Sequence, residues 1–256
     1  MAWVDGLLLD IDGVLTVSWQ PIDGAAHAID RLRSRGLPLR FATNTTTRSR
    51  AEVARLLTDA GIPVDPSEIL TAPIATVAYL QRAHPGARCF VLSSGDLGED
   101  LEPIDRVDDA PADVVVMGGA GLVYTHTQLN RAFRLLLDGA AFVAMHRNLY
   151  WRTADGMELD TGAYVTALEQ ASGVSPVVLG KPSPDFFAAA VTSLGVPAER
   201  TAMIGDDIVN DVLGAQAAGL RGVLVRTGKY RPDAVEAASG TPDRVVDSIA
   251  DVPDLV

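Results

Sequence analysis

Residues 6–16 read GLLLDIDGVLT, and this stretch decides the fold of the 256-residue chain. The apolar run Gly6–Leu9 predicts a short buried β-strand. Two acids, Asp10 and Asp12, follow where the strand ends, and Gly13 permits a sharp turn after them. Because open α/β sheets bind ligands outside the carboxyl ends of their strands, both acids are placed where chemistry takes place. Two such close carboxylates repel unless a cation lies between them or one keeps its proton. Taken alone, the same pattern is typical of an Asx turn, and the turn is then the better interpretation.

The segments on either side of this motif predict an α/β fold with a parallel sheet. Apolar strands without alternation, separated by helices, are typical of a sheet covered on both faces. The predicted strands are 6–9, 37–42, 177–179, 201–204 and 223–225, and the predicted helices are 25–32, 53–60, 186–194 and 209–218.

A segment of about a hundred residues interrupts this pattern and is long enough to be a domain of its own. Turn-rich stretches flank it, and we place the core domain at residues 1–70 and 177–256 and the inserted domain at 71–176. The predicted elements of the insertion lie at 77–83, 89–92, 114–117, 129–137, 142–145 and 163–171.

A second acidic segment follows the predicted strand at 201–204. It carries Asp206, Asp207 and Asp211 at the start of a helix. Asp207 alone is typical of a helix N-cap, but three acids are more than capping needs. Together with Asp10 and Asp12 they would form an oxygen-rich cluster suited to Mg²⁺.

Two further segments carry groups that could hold a phosphoryl group. Thr43 and Asn44 follow the second strand, and their hydroxyl and amide groups could bind phosphate oxygens, although such residues also start ordinary helices. Lys181 follows the predicted strand at 177–179 and could neutralise a phosphoryl group, although a surface lysine in a proline-rich turn would look the same. The chain has 21 basic residues, of which only Lys181 and Lys229 are lysine. The conjunction of the four segments in one chain outweighs the ordinary interpretation of each.

Composition excludes several classes of function. Acids outnumber bases by 33 to 21, giving a formal charge of -12, which argues against nucleic acid as a partner. Any phosphate site must therefore be built locally. The single cysteine, Cys89, permits no internal disulfide and is typical of a small buried residue in a protein of the reducing cytoplasm. The N-terminus does not resemble a signal peptide, and no apolar run is long enough for a membrane span.

We expect His146 and Arg147 to be an exposed pair, with a contact to the rest of the insertion or to a dimer partner as the alternative.

The four segments together resemble, in order, the signature motifs of the haloacid dehalogenase-like (HAD) phosphatase superfamily. The position of the insertion resembles subclass IIA, and the expected branch is the one that contains phospholysine/phosphohistidine inorganic pyrophosphate phosphatase. The resemblance implies a doubly wound, Rossmann-like parallel-sheet core with an inserted α/β cap of the C2 type. It also implies a small phosphorylated substrate, such as a phosphomonoester, pyrophosphate or a phosphoramidate, and a homodimer formed through the cap.

The resemblance also implies roles for individual residues. Asp10 would attack phosphorus to form an aspartyl-phosphate, and Asp12 would act as general acid and base. Thr43 and Lys181 complete the implied catalytic set. The implied phosphate-binding residues are Asp10, Ile11, Asp12, Thr43, Asn44 and Lys181. The implied Mg²⁺ ligands are Asp10, Asp12 through its carbonyl, and Asp206, with Asp207 and Asp211 in support.

Other functions fit the sequence less well. A dehalogenase of the same superfamily needs no acid at position 12, and a phosphomutase shares the motifs but is at odds with the cap type. A phospho-accepting signalling domain would be much shorter and would lack the insertion. A binding relative without efficient turnover would be expected to lose one of the motifs.

Overall fold

A computed structural model describes residues 3–153 and 156–256, which form two compact units. The first, the core unit, comprises residues up to 43, residues 50–70 and residues 181–256. The second, the inserted unit, comprises residues 44–49 and 71–180. Each unit is built on a sheet of its own.

The strands and helices follow one another along the whole described chain. In chain order, the strands are β1 Gly6–Asp10, β2 Thr16–Val17, β3 Gln20–Pro21, β4 Leu39–Thr43, β5 Ile69–Thr71, β6 Arg88–Leu92, β7 Asp105–Arg106, β8 Val114–Met117, β9 Ala141–Ala144, β10 Tyr150–Thr153, β11 Gly156–Leu159, β12 Val177–Val178, β13 Thr201–Gly205, β14 Arg221–Val225 and β15 Arg244–Val246. The α-helices are α1 Ala25–Ser34, α2 Arg50–Asp59, α3 Ala72–Ala83, α4 His126–Leu137, α5 Thr161–Ser172, α6 Pro184–Leu194, α7 Gly214–Ala217 and α8 Pro232–Ala237. A π-helical turn at Ile208–Leu213 precedes α7, and 3₁₀ turns lie at Pro66–Glu68, Gly98–Leu101, Ala198–Arg200 and Ile249–Asp254.

The core unit contains a six-stranded sheet in the order β15-β14-β13-β1-β4-β5. The pairings from β15 to β4 are all parallel. Strand β1 lies inside this sheet, and Leu7, Leu8 and Leu9 are fully buried, which explains why the strand reads as an unbroken apolar run. Asp10 pairs with Ala42 of β4, so the carboxyl ends of the two strands meet at one edge. The predicted α/β class with a parallel core sheet is confirmed.

The helices of the core unit follow the predicted apolar spacing. Helix α1 buries Ala25, Ile29 and Leu32. Gly36 follows the helix with a φ of 72°, a left-handed conformation that glycine adopts without strain. The apolar stripe therefore packs α1 on the sheet, and the glycine turns the chain into β4.

The inserted unit contains a five-stranded parallel sheet in the order β12-β9-β8-β6-β7. Separate apolar clusters cover its two faces, one including Phe90 and Phe142 and the other including Val114 and Val143. The predicted elements of the insertion form close to their expected positions, and the antiparallel hairpin of β10 and β11 is an element that the sequence did not indicate. None of the described helices is long and apolar enough to cross a membrane.

The strand predicted at 177–179 forms, but not in the expected sheet. Val177–Val178 pairs in parallel with β9 of the inserted unit, where Val177 lies opposite Val143. The expectation that Lys181 ends a strand of the core sheet is therefore wrong. A short apolar run indicates that a strand exists, but it carries no information about which sheet it joins.

Candidate active site

Three buried acids meet at the carboxyl edge of the core sheet. Asp10 is the last residue of β1, and Asp206 follows the last residue of β13. Asp211 reaches the same place from the π-helical turn. One carboxylate oxygen from each acid lies within 4.8 Å of the others. This is the arrangement expected of a site for a hard divalent cation.

Lys181 neutralises part of this acidic cluster. Its Nζ donates hydrogen bonds to Asp10 Oδ1 at 2.7 Å and to the Ala42 carbonyl oxygen at 3.2 Å, and it lies 2.6 Å from Asp211 Oδ1. Burial acts to lower the pKa of Lys181, but the carboxylates of Asp10 and Asp211 outweigh it, and the pKa lies above its ordinary value. The buried ammonium group is therefore charged.

Asp206 retains an unused ligand atom. Its Oδ2 accepts the Lys229 N–H at 2.6 Å, whereas its buried Oδ1 has no hydrogen-bond partner among the described residues. Burial, followed by the charges of Asp10 and Asp211, raises the pKa of Asp206 to about 8. Burial also raises the pKa of Asp211 to about 6, although Lys181 opposes the shift. A buried carboxylate oxygen without a partner is costly, and a bound cation would remove that cost. The donor set therefore fits a hard divalent cation.

Three glycines lie in close contact with the acids Asp206 and Asp211. A Cβ atom on Gly13 would lie 1.9 Å from Asp206 Oδ2, and one on Gly228 would lie 2.0 Å from the same oxygen. A Cβ atom on Gly205 would lie 2.1 Å from Asp211 Cβ. Gly13 and Gly228 also have φ angles of 92° and 58°. No side chain fits at these positions, so the motif glycines are required for the close approach of the backbone to the carboxylates.

Asp207 acts as the cap of the helical segment that carries Asp211. Its Oδ1 accepts the N–H groups of Val209 and Asn210, both at 2.9 Å. Its own backbone N–H donates to Asp211 Oδ2 at 3.2 Å. The ordinary interpretation of Asp207 as an N-cap therefore describes its contacts, and any support it gives to a metal site passes through Asp211.

The remaining predicted residues occupy different environments. Ile11 is buried. The side chain of Asp12 is exposed and, contrary to expectation, does not join the buried acids Asp10, Asp206 and Asp211. Thr43 is buried at the end of β4. Asn44, the next residue, begins the segment that belongs to the inserted unit.

Lys229 is a site residue that the sequence analysis missed. Its N–H group binds Asp206, and its side chain remains in contact with solvent. Desolvation acts to lower the pKa of its ammonium group, but the negative charges of Asp10 and Asp206 outweigh this effect. The pKa of Lys229 therefore lies above its ordinary value. The signal was available, because the only two lysines of the chain both belong to this cluster.

The expectation of an exposed pair at His146 and Arg147 is wrong for the histidine. His146 is 3% exposed, and its Nε2 lies 3.2 Å from Thr46 Oγ1. Arg147 remains exposed and forms an ion pair with Glu169. The histidine is buried because polar partners satisfy its ring within the inserted unit.

Comparisons with known proteins agree with the geometry. Residues 7–105 match the model of the haloacid dehalogenase-like hydrolase family, and residues 178–252 match a HAD-hydrolase-like model. Phospholysine phosphohistidine inorganic pyrophosphate phosphatase of Xenopus laevis is 37% identical over 265 residues, covering 100% of this chain and 96% of the relative. Among solved structures, p-nitrophenyl phosphatase from Archaeoglobus fulgidus is 31% identical with a TM-score of 0.93, and the match covers 99% of both chains. NagD from E. coli K-12 is 28% identical with a TM-score of 0.89, covering 98% of both chains.

Proposed function

The chain belongs to the haloacid dehalogenase-like hydrolase family as a phosphatase of subclass IIA, and we propose that it hydrolyses small phosphorylated metabolites through an aspartyl-phosphate on Asp10. The observation that carries the proposal is the buried cluster of Asp10, Asp206 and Asp211 around Lys181. A cluster of this kind supplies the two requirements of phosphoryl transfer, which are positioning and neutralisation of charge.

In the first step, a carboxylate oxygen of Asp10 attacks phosphorus, and the bond from phosphorus to the leaving oxygen breaks. The carboxylic acid of Asp12 gives its proton to that oxygen. In the second step, water attacks the phosphorus of the aspartyl-phosphate, the bond to Asp10 breaks, and Asp12 takes the proton of the water. The different environments of the two acids fit these roles, since Asp10 is buried beside the Lys181 ammonium group and Asp12 is exposed.

Lys181 has two tasks in this scheme. It places a positive charge 2.7 Å from the buried carboxylate of Asp10, which offsets part of the cost of burying a negative charge. It also provides a fixed positive charge beside the incoming phosphoryl group. Thr43 and Asn44 contribute hydroxyl and amide donors to the phosphoryl oxygens.

Mg²⁺ would be held by Asp10 and Asp206 together with the Asp12 carbonyl, with Asp211 supporting the site. When bound, the ion would neutralise charge on the phosphoryl oxygens. The buried Asp206 Oδ1 has no hydrogen-bond partner among the described residues, and this unsatisfied oxygen supports the assignment of a cation to the site.

The names of two relatives support the proposed substrate class. One is named for phospholysine, phosphohistidine and inorganic pyrophosphate, and another for p-nitrophenyl phosphate. We extend the proposal to phosphomonoesters, pyrophosphate and phosphoramidates. The buried acids and Lys181 all belong to the core unit, so selection of the leaving group is assigned to the inserted unit as a cap, and a homodimer through that cap is part of the proposal.

Turnover of p-nitrophenyl phosphate tests the function directly. Wild-type protein should release phosphate with Mg²⁺ and lose this activity in excess chelator. Asp10→Asn should retain less than a hundredth of the activity, because an amide does not form the acyl-phosphate. Asp59→Asn, which changes an exposed acid on α2, is the matched control and should behave as wild type.

Acid-quench experiments add a more specific result. Denatured wild-type protein, quenched during turnover of ³²P-labelled substrate, should carry hydroxylamine-sensitive label, and Asp10→Asn should carry none. Retention of a tenth of the activity by Asp10→Asn, or full activity in excess chelator, would overturn the proposal.

A further inference from the structure

The topology of the inserted unit predicts a crevice at the carboxyl ends of its strands. The chain places β7 on one side of β6 and then β8 and β9 on the other, so the direction of winding reverses between β6 and β8. At such a switch point, open α/β sheets bind their ligands outside the carboxyl ends of the two strands. Here Ser93 follows β6 and Gly118 follows β8.

The chain itself fills this crevice with residues 44–49, which we call the crossing segment. A Cβ atom on Gly95 would lie 2.1 Å from the Thr47 carbonyl oxygen. A Cβ atom on Gly119 would lie 2.5 Å from Thr47 Cγ2. Neither position admits a side chain, so these glycines are required for the crossing segment to lie against the sheet.

Two polar contacts hold Thr46 within the crossing segment. Ser93 Oγ donates to the Thr46 carbonyl oxygen at 3.2 Å, and Thr46 Oγ1 lies 3.2 Å from His146 Nε2. The Asn148 N–H donates to His146 Nδ1 at 3.3 Å, which makes Nδ1 an acceptor and places the proton of the neutral ring on Nε2. Burial lowers the pKa of His146, and the carboxylate of Asp160, 3.8 Å from Nε2, acts in the opposite direction without reversing the shift. The neutral ring therefore donates its Nε2–H to Thr46.

The crossing segment begins with Asn44, a residue of the proposed phosphate site. A Cβ atom on Gly180 would lie 2.7 Å from Asn44 Oδ1 and 2.5 Å from the Met145 carbonyl oxygen. The residue after Gly180 is Lys181, and the residue after Met145 is His146. The stretch after β9 therefore contacts the crossing segment through His146 and Gly180 through Met145. Asn44 in that segment and Lys181 after Gly180 are both proposed to handle phosphate.

We propose that His146 is a positioning residue: by donating to Thr46 it holds the crossing segment in the crevice and so fixes Asn44 for binding phosphoryl oxygens. The inference rests on the proposed function, in which Asn44 binds phosphate. Removing a buried hydrogen bond of this kind leaves the Thr46 hydroxyl without its partner. The loss should weaken phosphate binding and leave the metal site intact.

Substitutions at His146 separate this role from a general loss of stability. His146→Leu removes the donor, and His146→Gln keeps an N–H close to the position of Nε2. We expect His146→Leu to raise both the KM for p-nitrophenyl phosphate and the Kd of inorganic phosphate about tenfold, the size expected from a buried hydrogen bond. His146→Gln should recover most of this loss, and the Mg²⁺ concentration for half-maximal activity should stay unchanged in both. His126→Leu, at an exposed histidine of α4, is the matched control.

A double-mutant cycle with Asn44 is the decisive measurement. If His146 acts through Asn44, then His146→Leu should cost little further phosphate affinity in an Asn44→Ala background. Calorimetric titration of inorganic phosphate in the presence of Mg²⁺ gives the four affinities without requiring turnover. If His146→Leu does not fold, Thr46→Val removes the same hydrogen bond from the acceptor side and enters the cycle in its place.

The outcomes are distinct. If the losses of phosphate affinity caused by His146→Leu and by Asn44→Ala simply multiply in the double variant, the positioning role is overturned. Equal loss of affinity in His146→Gln and His146→Leu would do the same. A wild-type protein that binds phosphate but hydrolyses no phosphate compound would overturn the proposed function and would leave the cycle readable.

Discussion

Replacing Asp206 with asparagine should stabilise the metal-free protein and abolish its response to Mg²⁺. Burial and the charges of Asp10 and Asp211 raise the pKa of Asp206 from 3.8 to about 8. An asparagine keeps an oxygen for the Lys229 N–H, and its amide nitrogen replaces the oxygen that has no partner among the described residues. The substitution therefore removes a buried charge and retains the backbone contact.

Linkage gives the sign and the size of the effect. Because the pKa of Asp206 is raised in the folded state, the group destabilises the folded protein above its unfolded pKa, and the penalty grows as the pH rises toward the folded pKa. At about pH 7.5 the penalty reaches at most about 5 kcal/mol, at about 1.4 kcal/mol per pKa unit. Burying the amide costs about 1–3 kcal/mol in return. The free energy of unfolding of Asp206→Asn should therefore exceed that of wild type by about 2–4 kcal/mol at about pH 7.5. As the pH falls, the penalty shrinks to the size of the amide cost, so the difference should reach zero between about pH 4.5 and 6 and reverse below that range.

Guanidinium unfolding in chelator and in Mg²⁺ measures both parts of this prediction. Wild-type protein should gain about 2.7 kcal/mol when the free Mg²⁺ concentration is a hundredfold above its Kd, and Asp206→Asn should gain almost nothing. Asp59→Asn serves as the control for removal of an exposed acid. The reasoning is refuted if Asp206→Asn is less stable than wild type in chelator, or if both proteins gain equally from Mg²⁺.

Three further predictions concern the acid, the metal and the cysteine. Asp12→Asn should unfold within about 0.5 kcal/mol of wild type because its side chain is exposed, while its kcat falls at least about a hundredfold; a variant that keeps a tenth of the wild-type kcat would exclude Asp12 as the general acid. Ca²⁺ should stabilise the protein in unfolding experiments but support less than a tenth of the Mg²⁺ rate, since it takes carboxylates in bidentate fashion and would occupy the attacking oxygen of Asp10; equal rates would contradict this. Burial, with smaller contributions from nearby acids, raises the pKa of Cys89 to about 11, so iodoacetamide should label it at pH 8 only after unfolding, and rapid labelling of native protein would count against that burial.

The parts of the fold that could be predicted are those in which burial leaves a periodic trace. A strand inside a covered parallel sheet is buried on both faces, so β1 reads as continuous apolar residues and its end is marked by the first charge, Asp10. Asp206 and Asp211 could be found because their segment carries more acids than a helix cap requires. The π-helical turn that carries Asp211 left no such trace in the sequence.

The strand before Lys181 shows where the same reasoning stops. The sequence analysis placed Lys181 at the end of a core strand, whereas β12 pairs with β9 in the other unit. Lys181 is found at the carboxylates all the same, because its ion pairs with Asp10 and Asp211 bring the ammonium group to them. The pairing of Lys181 with the acidic cluster was therefore predicted from the type of residue, whereas the sheet that the preceding strand joins was not. Opposite charges in a buried site constrain their partners more strongly than two apolar residues constrain the choice of sheet.

His146 illustrates the converse, in which a polar residue is buried without any signal in its neighbourhood. Its partner Thr46 lies 100 positions away in the sequence, and nothing near His146 indicates that a threonine hydroxyl will accept its hydrogen bond. A lone histidine next to an arginine is consistent with an exposed surface. Burial of His146 is tolerated because both ring nitrogens form hydrogen bonds, one with Thr46 and one with the Asn148 N–H. Lys229 differs because its rarity in the composition could have identified it. Residue scarcity and residue type can therefore reveal the members of a charged site from sequence. A neutral polar residue such as His146 requires the structure, because its contact with Thr46 becomes apparent only when the crossing segment is seen against the sheet of the inserted unit.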